Sequence, residues 1–231
     1  DPRRSPRAEA YADEYFRVRC RRGVTRDLAR SSMAQPLPFA TLMLHTGDAD
    51  MLIAGASAHY AETMSAVLGM IGPAPGVRRV ASLHLVLRGK DVYFLADCAL
   101  NIEPGAKELA EITLLTSRLV RTLGLEPRVA MLSFSNFGSV EHPSSRQVRE
   151  ATRLVRERDP QLVVDGEIQL ATALDGDLRQ RYFPFCDLRQ NANVLIFPDL
   201  QAGNLALHLL QKLGDAVAVG PVLVGTRRPF H

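Results

Sequence analysis

Two stretches of this sequence carry side chains suited to holding a polar ligand. The first is Ser133-Phe134-Ser135-Asn136-Phe137-Gly138-Ser139. It offers hydroxyls, an amide and a glycine that lets backbone approach a bound group. The second is Pro198-Asp199-Leu200-Gln201-Ala202-Gly203-Asn204, with a carboxylate, a glycine and an amide. Between them, Asp165-Gly166-Glu167 sets two carboxylates around a glycine. Taken singly, each of these residues also suits a turn or a helix cap. As three loops on one sheet edge they would form a shared polar cleft, and a helix following such a loop presents an N-terminus that attracts anions.

Other chemistry is excluded or weak. Gly220-Pro221-Val222-Leu223-Val224-Gly225-Thr226 starts like a phosphate loop, but no lysine follows the second glycine. The histidines at 45, 59, 84, 142, 208 and 231 have no metal-ligand spacing. Asp48 and Asp50 read as a turn. No serine sits in a G-x-S-x-G elbow, and there is no G-x-G-x-x-G dinucleotide fingerprint. Cys20, Cys98 and Cys186 are far apart and odd in number, which reads as reduced thiols in a cytoplasmic protein.

The elements that must position these loops follow from the pattern. Residues 8–22 read as a helix, with Gly23 as its stop and Thr25 as the next N-cap. Residues 36–46 are an apolar run of ambiguous type. Strands are expected at 50–54, 79–87, 91–97, 128–133, 162–165, 193–197 and 216–223. Helices are expected at 58–71, 106–123, 143–158, 167–180 and 202–213. Continuous apolar runs such as Val129-Ala130-Met131-Leu132 belong to strands covered on both faces. The turn Arg88-Gly89-Lys90 signals one hairpin. The expected fold class is α/β, a mixed and mostly parallel sheet sandwiched by helices. In such sheets ligands bind beyond the carboxyl ends of the strands, where all three polar stretches fall.

Composition sets the outer limits. At 231 residues, 46 % hydrophobic and 23 % charged, the chain is an ordinary globular sequence. No apolar run approaches the roughly 18 residues of a membrane span, and no nucleic acid partner is implied by a net charge of +3. Only three of the 28 basic residues are lysines, and nine arginines lie within the first 30 residues. Arginine's planar fork pairs well with phosphate, although a charge run of this kind also suits a solvated helix face.

Several motifs resemble the phosphate acetyltransferase/butyryltransferase family. They are Arg19-Cys20-Arg21-Arg22-Gly23-Val24-Thr25, the run 129–139, Asp165-Gly166-Glu167-Ile168-Gln169, and the run 193–204. The segments 47–55 and 220–225 follow at the family's usual distances, so the likeness covers the chain in order. Phe134-Ser135-Asn136-Phe137-Gly138-Ser139, Asn101-Ile102-Glu103-Pro104 and the segment 108–112 are similar to the version fused behind NADP-dependent malic enzymes. The resemblance implies a phosphotransacetylase or isocitrate-dehydrogenase-like fold. Residues 1–35 would be an N-terminal arm and helices from the first lobe. Residues 36–231 would be the phosphotransacetylase-like domain, with its C-terminal segment missing.

What the resemblance implies for chemistry is mixed. The family's phosphate-holding arginine follows a threonine by two places; here the matching positions are Thr63 and Ser65, and serine carries no fixed charge. A further family arginine matches Arg19. The family's base is an aspartate after a serine–arginine pair, downstream of the Gly220-Pro221 strand, and the sequence ends at His231 before it. The resulting expectation is an acyl-CoA-sensing regulatory and oligomerisation domain with no catalytic residue of its own. Acetyl-CoA or another acyl-CoA is its expected ligand, and a homodimer or larger homo-oligomer its expected assembly. NADP and a divalent metal (Mg or Mn) would belong only to a malic enzyme domain in the same polypeptide. The alternative expectation is a truncated catalytic phosphate acetyltransferase. The expected ligand-binding residues are Arg19, Thr63, Ser65, Ser133, Ser135, Asn136, Gly138, Ser139, Asp165, Glu167, Asp199, Gly203 and Asn204, with no metal site.

Overall fold

The computed structural model describes residues 1–55 and 60–231. Residues 58 and 59, the predicted start of one helix, lie outside the described residues. The chain divides into two compact units, one of residues 1–77 with 226–231, the other of residues 78–225.

The first unit is helical. α1 (Ala8–Arg19) runs into a short 3-10 turn, and Gly23 closes it at φ 88°, a left-handed conformation that glycine adopts without strain. Thr25 caps α2 (Arg26–Ser32) by accepting from the Leu28 amide at 3.2 Å. The ambiguous run 36–46 is a helix, α3 (Pro36–Thr46): proline opens it where no amide partner is needed, and Gly47 ends it at φ 85°. α4 (Tyr60–Ile71) follows. The core is Tyr11, Val24, Met33, Phe39, Leu42 and Met70, with the Tyr11 and Phe39 rings edge to face at 5.0 Å. Most of the arginine-rich start is paired locally, as Arg17–Glu14, Arg26–Asp13, Arg30–Glu9 and Arg7–Asp48.

The predicted strand at 50–54 does not form. Leu52 makes only an isolated parallel bridge to Phe230, and Ile53 is 76 % exposed. The segment's backbone bonds to residues 229–231, the Leu52 amide to the Pro229 carbonyl at 3.1 Å and the Ala54 amide to the His231 carbonyl at 2.9 Å, as an isolated pairing apart from the sheet.

The second unit contains a sheet in the order β4-β3-β5-β2-β1-β6. Its strands are β1 (Ala81–Arg88), β2 (Asp91–Ala96), β3 (Arg128–Leu132), β4 (Val163–Ile168), β5 (Val194–Ile196) and β6 (Val217–Val224). β2, β5, β3 and β4 pair in parallel; β1 is antiparallel to both β2 and β6. The hairpin expected at Arg88-Gly89-Lys90 joins β1 and β2. α5 (Ala106–Thr122) covers one face with Leu109, Ile112, Thr113 and Val120, and the Thr113 hydroxyl meets the Met131 sulfur at 3.2 Å. The opposite face joins Ala130, Leu132, Leu195 and Leu95 to Ala173 of α7 (Leu170–Leu174) and Leu207 of α9 (Leu200–Leu213). Residues that alternate along β3 and β5 therefore enter opposite layers, which is why these strands read as unbroken apolar runs. α6 (Pro143–Arg158) packs on β3 and β4. The predicted helix 167–180 is different in detail. β4 continues through Ile168, and α7 is separated from α8 (Gly176–Tyr182) by Asp175, which caps α8 through the Leu178 amide. Among the described residues no helix is long and apolar enough to cross a membrane.

Candidate functional site

The β3–α6 loop, residues 133–139, leaves the carboxyl end of β3 beside the end of β4. Phe137 and Gly138 both take positive φ, 47° and 89°, so the loop turns sharply and aims its groups back at β4. The anchor is Glu167, fully buried. Its Oε1 accepts from the Ser135 hydroxyl at 3.0 Å, the Gly138 amide at 2.7 Å and Arg149 Nη2 at 3.1 Å; its Oε2 accepts from Arg149 Nε at 3.0 Å. Burial alone would raise the pKa of this carboxyl. The bonds from Arg149, the Gly138 amide, its own amide and Ser135 outweigh burial, so the net shift is downward. Glu167 is thus held as a carboxylate and serves as the loop's fixed point.

Asp165 is anchored in the same way, two residues earlier in β4. Its Oδ1 accepts from Arg156 Nη2 at 2.7 Å and its Oδ2 from the Asp187 amide at 2.7 Å. Arg149 and Arg156 are seven residues apart on α6, two helical turns, so one helix face supplies both cations. Together with Phe137, Gly138 and Gly166, these four ionic residues line a cavity of about 370 Å³. Gly166 cannot be replaced lightly, because a Cβ there would meet Met131 on the neighbouring strand.

Around this anchor the loop's remaining groups are graded by exposure. Ser135 is fully buried, and its hydroxyl also accepts from the Val140 amide at 3.1 Å. The Asn136 side chain accepts from the Gln169 amide at 2.8 Å, while its own amide donates to Ser139 Oγ at 2.9 Å. Ser133 Oγ accepts from the Ser135 amide at 3.3 Å. Gly138 and Ser139 face solvent.

The third polar stretch is organised about a different carboxylate. Asp97, at the end of β2, is 2 % exposed. It accepts from the Ser82 amide and hydroxyl, the Ala99 and Leu100 amides, and the Asn101 side chain, which also reaches the Val80 carbonyl at 3.1 Å. The start of α9 is seated on this hub. A Cβ at Gly203 would overlap the Asp97 carbonyl oxygen, so only glycine permits the approach. Asn204 donates to the Cys98 carbonyl at 3.4 Å, and Asp199 caps α9 through the Ala202 amide at 2.8 Å. Burial, and the charge of Asp97, push the Cys98 thiol up to about 12, so it stays protonated.

Of the residues expected at the site, the structure places Gly138, Asp165 and Glu167 on the cavity lining, while Ser133, Ser135, Asn136 and Ser139 belong to the hydrogen-bonded loop that holds Gly138 there. Asp199, Gly203 and Asn204 lie at the start of α9, after β5, with capping partners there and packing partners at the end of β2. Arg19, Thr63 and Ser65 belong to the first unit. There Arg19 Nη1 donates to the Gly69 carbonyl at 3.0 Å and the guanidinium lies flat on Gly69, where a Cβ would come within 2.6 Å of Nη1. Arg19 Nε and the Thr63 hydroxyl are buried with no hydrogen-bond partner among the described residues, and Ser65 is exposed. Sequence reasoning passed over Arg149, Arg156, Asp97 and Ser82. The seven-residue spacing of the two arginines on a predicted helix was the available signal for the first pair. Asp97 takes its donors from Ser82 on β1 and from residues 99–101 of the loop just after it, so only the second group lay within reach of local sequence.

The whole chain, residues 1–231, matches the family model described as phosphate acetyl/butaryl transferase. It is 41 % identical over 228 residues to the NADP-dependent malic enzyme of Escherichia coli (strain K12), covering 98 % of this chain and 30 % of that protein. It is also 41 % identical over 240 residues to the phosphate acetyltransferase of Paracoccus denitrificans, covering 100 % of this chain and 75 % of that protein. Among solved structures, a phosphotransacetylase from Streptococcus pyogenes superposes with a TM-score of 0.92 at 33 % identity, covering 99 % of this chain and 70 % of the other. The EutD phosphotransacetylase from Staphylococcus aureus gives 0.88 at 32 %, covering 100 % and 71 %. With its fold, its polar sheet edge and its full length all matched, the chain belongs to the phosphate acetyl/butaryl transferase family.

Proposed function

We propose that this chain is a phosphotransacetylase domain that binds acyl-CoA and, in the polypeptide that carries it, exchanges the acyl group between coenzyme A and orthophosphate. The observation that carries this reading is the match of the whole chain to three quarters of a phosphate acetyltransferase at 41 % identity. It displaces the acyl-CoA-sensing role as the first reading of the sequence.

The reaction joins a phosphate oxygen to the thioester carbonyl carbon, and the C–S bond then breaks. The proton carried by hydrogen phosphate ends on the departing sulfur, giving acetyl phosphate and CoA thiol. Such a reaction needs donors that hold phosphate and the developing oxyanion, and a group that relays the proton. Taken by itself, the first unit offers a cation, Arg19, and a buried hydroxyl, Thr63, with Ser65 exposed on α4 as the other expected contact. In the second unit, Ser133, Asn136, Gly138 and Ser139 present the accessible amides and hydroxyls. Ser135, Asp165 and Glu167 hold that loop rigid, and Asp199, Gly203 and Asn204 fix the start of α9. A second copy of the chain is the proposed partner for assembly.

The malic enzyme reading keeps one specific support: Ser65 stands where the family's phosphate-holding arginine is expected. A site without that charge would bind acyl-CoA but turn it over poorly, which suits a regulatory domain. Phosphorus NMR of the whole polypeptide with acetyl-CoA and phosphate separates the two. A growing acetyl phosphate signal supports the transferase. Its absence, together with malate-dependent NADP reduction that responds to acetyl-CoA, supports the regulatory domain.

A further inference from the structure

Arg179 on α8 is only 3 % exposed. Its Nε donates to the Leu188 carbonyl at 2.9 Å, its Nη1 to the Thr172 and Ala173 carbonyls at 2.7 and 2.8 Å, and its Nη2 to Asn191 Oδ1 at 3.0 Å. Every one of these acceptors is neutral. A buried cation is costly unless a counter-charge accompanies it, and carbonyl dipoles meet only part of that cost. Of the five guanidinium N–H groups, the four bonds leave one on Nη2.

Arg179 also lines a cavity of about 590 Å³, within the range of small-molecule pockets. The ionic side chains on that lining are Arg179, Arg189 and Asp177, which leaves one positive charge in excess. Arg189 is exposed, and its Nη1 makes a long bond to the Pro184 carbonyl at 3.3 Å. Phe183, Pro184, Cys186 and Leu188 form the apolar part of the walls, and Gln180 adds a neutral amide. Burial raises the Cys186 thiol to about 11, so it too is a neutral wall. None of the residues expected from the sequence to bind acyl-CoA lines this cavity.

We infer that the cavity between α8 and the 183–189 segment is a binding site for an organic monocarboxylate, whose carboxylate neutralises Arg179 and Arg189 while its apolar body lies on Phe183, Pro184 and Leu188. One excess positive charge suits a monoanion, and the apolar walls suit a carbon body over an inorganic ion. Planar carboxylates match the guanidinium fork.

The test is a titration of the isotope-labelled full chain with sodium benzoate, read by amide NMR without CoA. The amides of Gly176, Gln180 and Arg189 shift and saturate with a dissociation constant on the order of 1 mM or tighter. Arg189→Gln weakens that constant about tenfold, the worth of one charge-assisted bond, with an unchanged melting temperature. Arg179→Lys keeps the charge but loses the fork and abolishes saturation; if that variant does not fold, Arg189→Gln decides alone. Three outcomes overturn the inference: no saturable shift, equal shifts with sodium chloride, or shifts with phosphate but not benzoate. The readout involves no transfer of acyl groups, so failure of the transferase reading leaves it standing.

Discussion

At the residue scale, Glu167 is the group on which the β3–α6 loop depends. Its folded pKa lies below the ordinary glutamate value, so its bonds stabilise the fold above about pH 4.5 and are lost as pH falls through the depressed folded value. Glu167→Gln should cost about 2 kcal/mol at neutral pH, because Arg149 and the Gly138 amide lose their charged acceptor. In urea denaturation the gap between variant and wild type should narrow as pH drops toward about 3; a gap constant across that range would mean the carboxylate charge contributes nothing. Gly203→Ala is a separate case. The added methyl overlaps the Asp97 carbonyl, so the urea midpoint should fall by an amount equivalent to about 1–3 kcal/mol. Both carboxylates of Asp165-Gly166-Glu167 were legible as a pair in the sequence. Their partners were not, because Arg149, Arg156 and the Asp187 amide come from α6 and a later loop. Sequence spacing shows which residues share a helix face, but not which strand end that face meets.

At the element scale, the strand–helix alternation from residue 79 onward was readable because buried parallel strands need apolar residues on both faces. The exceptions have local causes. The run 50–54 pairs through an isolated bridge and not with a strand of the sheet, and the ambiguous run 36–46 becomes α3 because a proline starts it and a left-handed glycine ends it. Glu167, expected at a helix start, extends β4 instead, since the loop from β3 bonds along it. α9 tests the capping argument directly. Asp199 was expected at the ligand site, and in the structure its carboxylate accepts from the Ala202 amide. Asp199→Ala should lower stability by about 1 kcal/mol, a drop of roughly 2–4 °C in melting temperature. A thermal melt by circular dichroism measures this, and an unchanged midpoint would leave Asp199 free for another role.

At the scale of the whole molecule, each of the two compact units has candidate ligand-binding residues of its own. The first offers Arg19, whose guanidinium rests on Gly69 and whose remaining donors have no carboxylate partner among the described residues. Arg19→Ala should weaken acyl-CoA binding by about 1–3 kcal/mol while leaving the fold intact; an unaltered affinity would remove Arg19 from the site. The second unit offers the rigid polar sheet edge. Family membership was legible from motifs in order along the chain. The balance between transferase and regulatory domain was not, because it turns on whether a site without a fixed charge at position 65 still turns acyl-CoA over.

The most direct test of the central claim is a calorimetric titration of acetyl-CoA into the full chain. The account predicts saturable binding that Arg19→Ala weakens and Asp199→Ala leaves nearly unchanged. Heat indistinguishable from dilution at millimolar acetyl-CoA would contradict it.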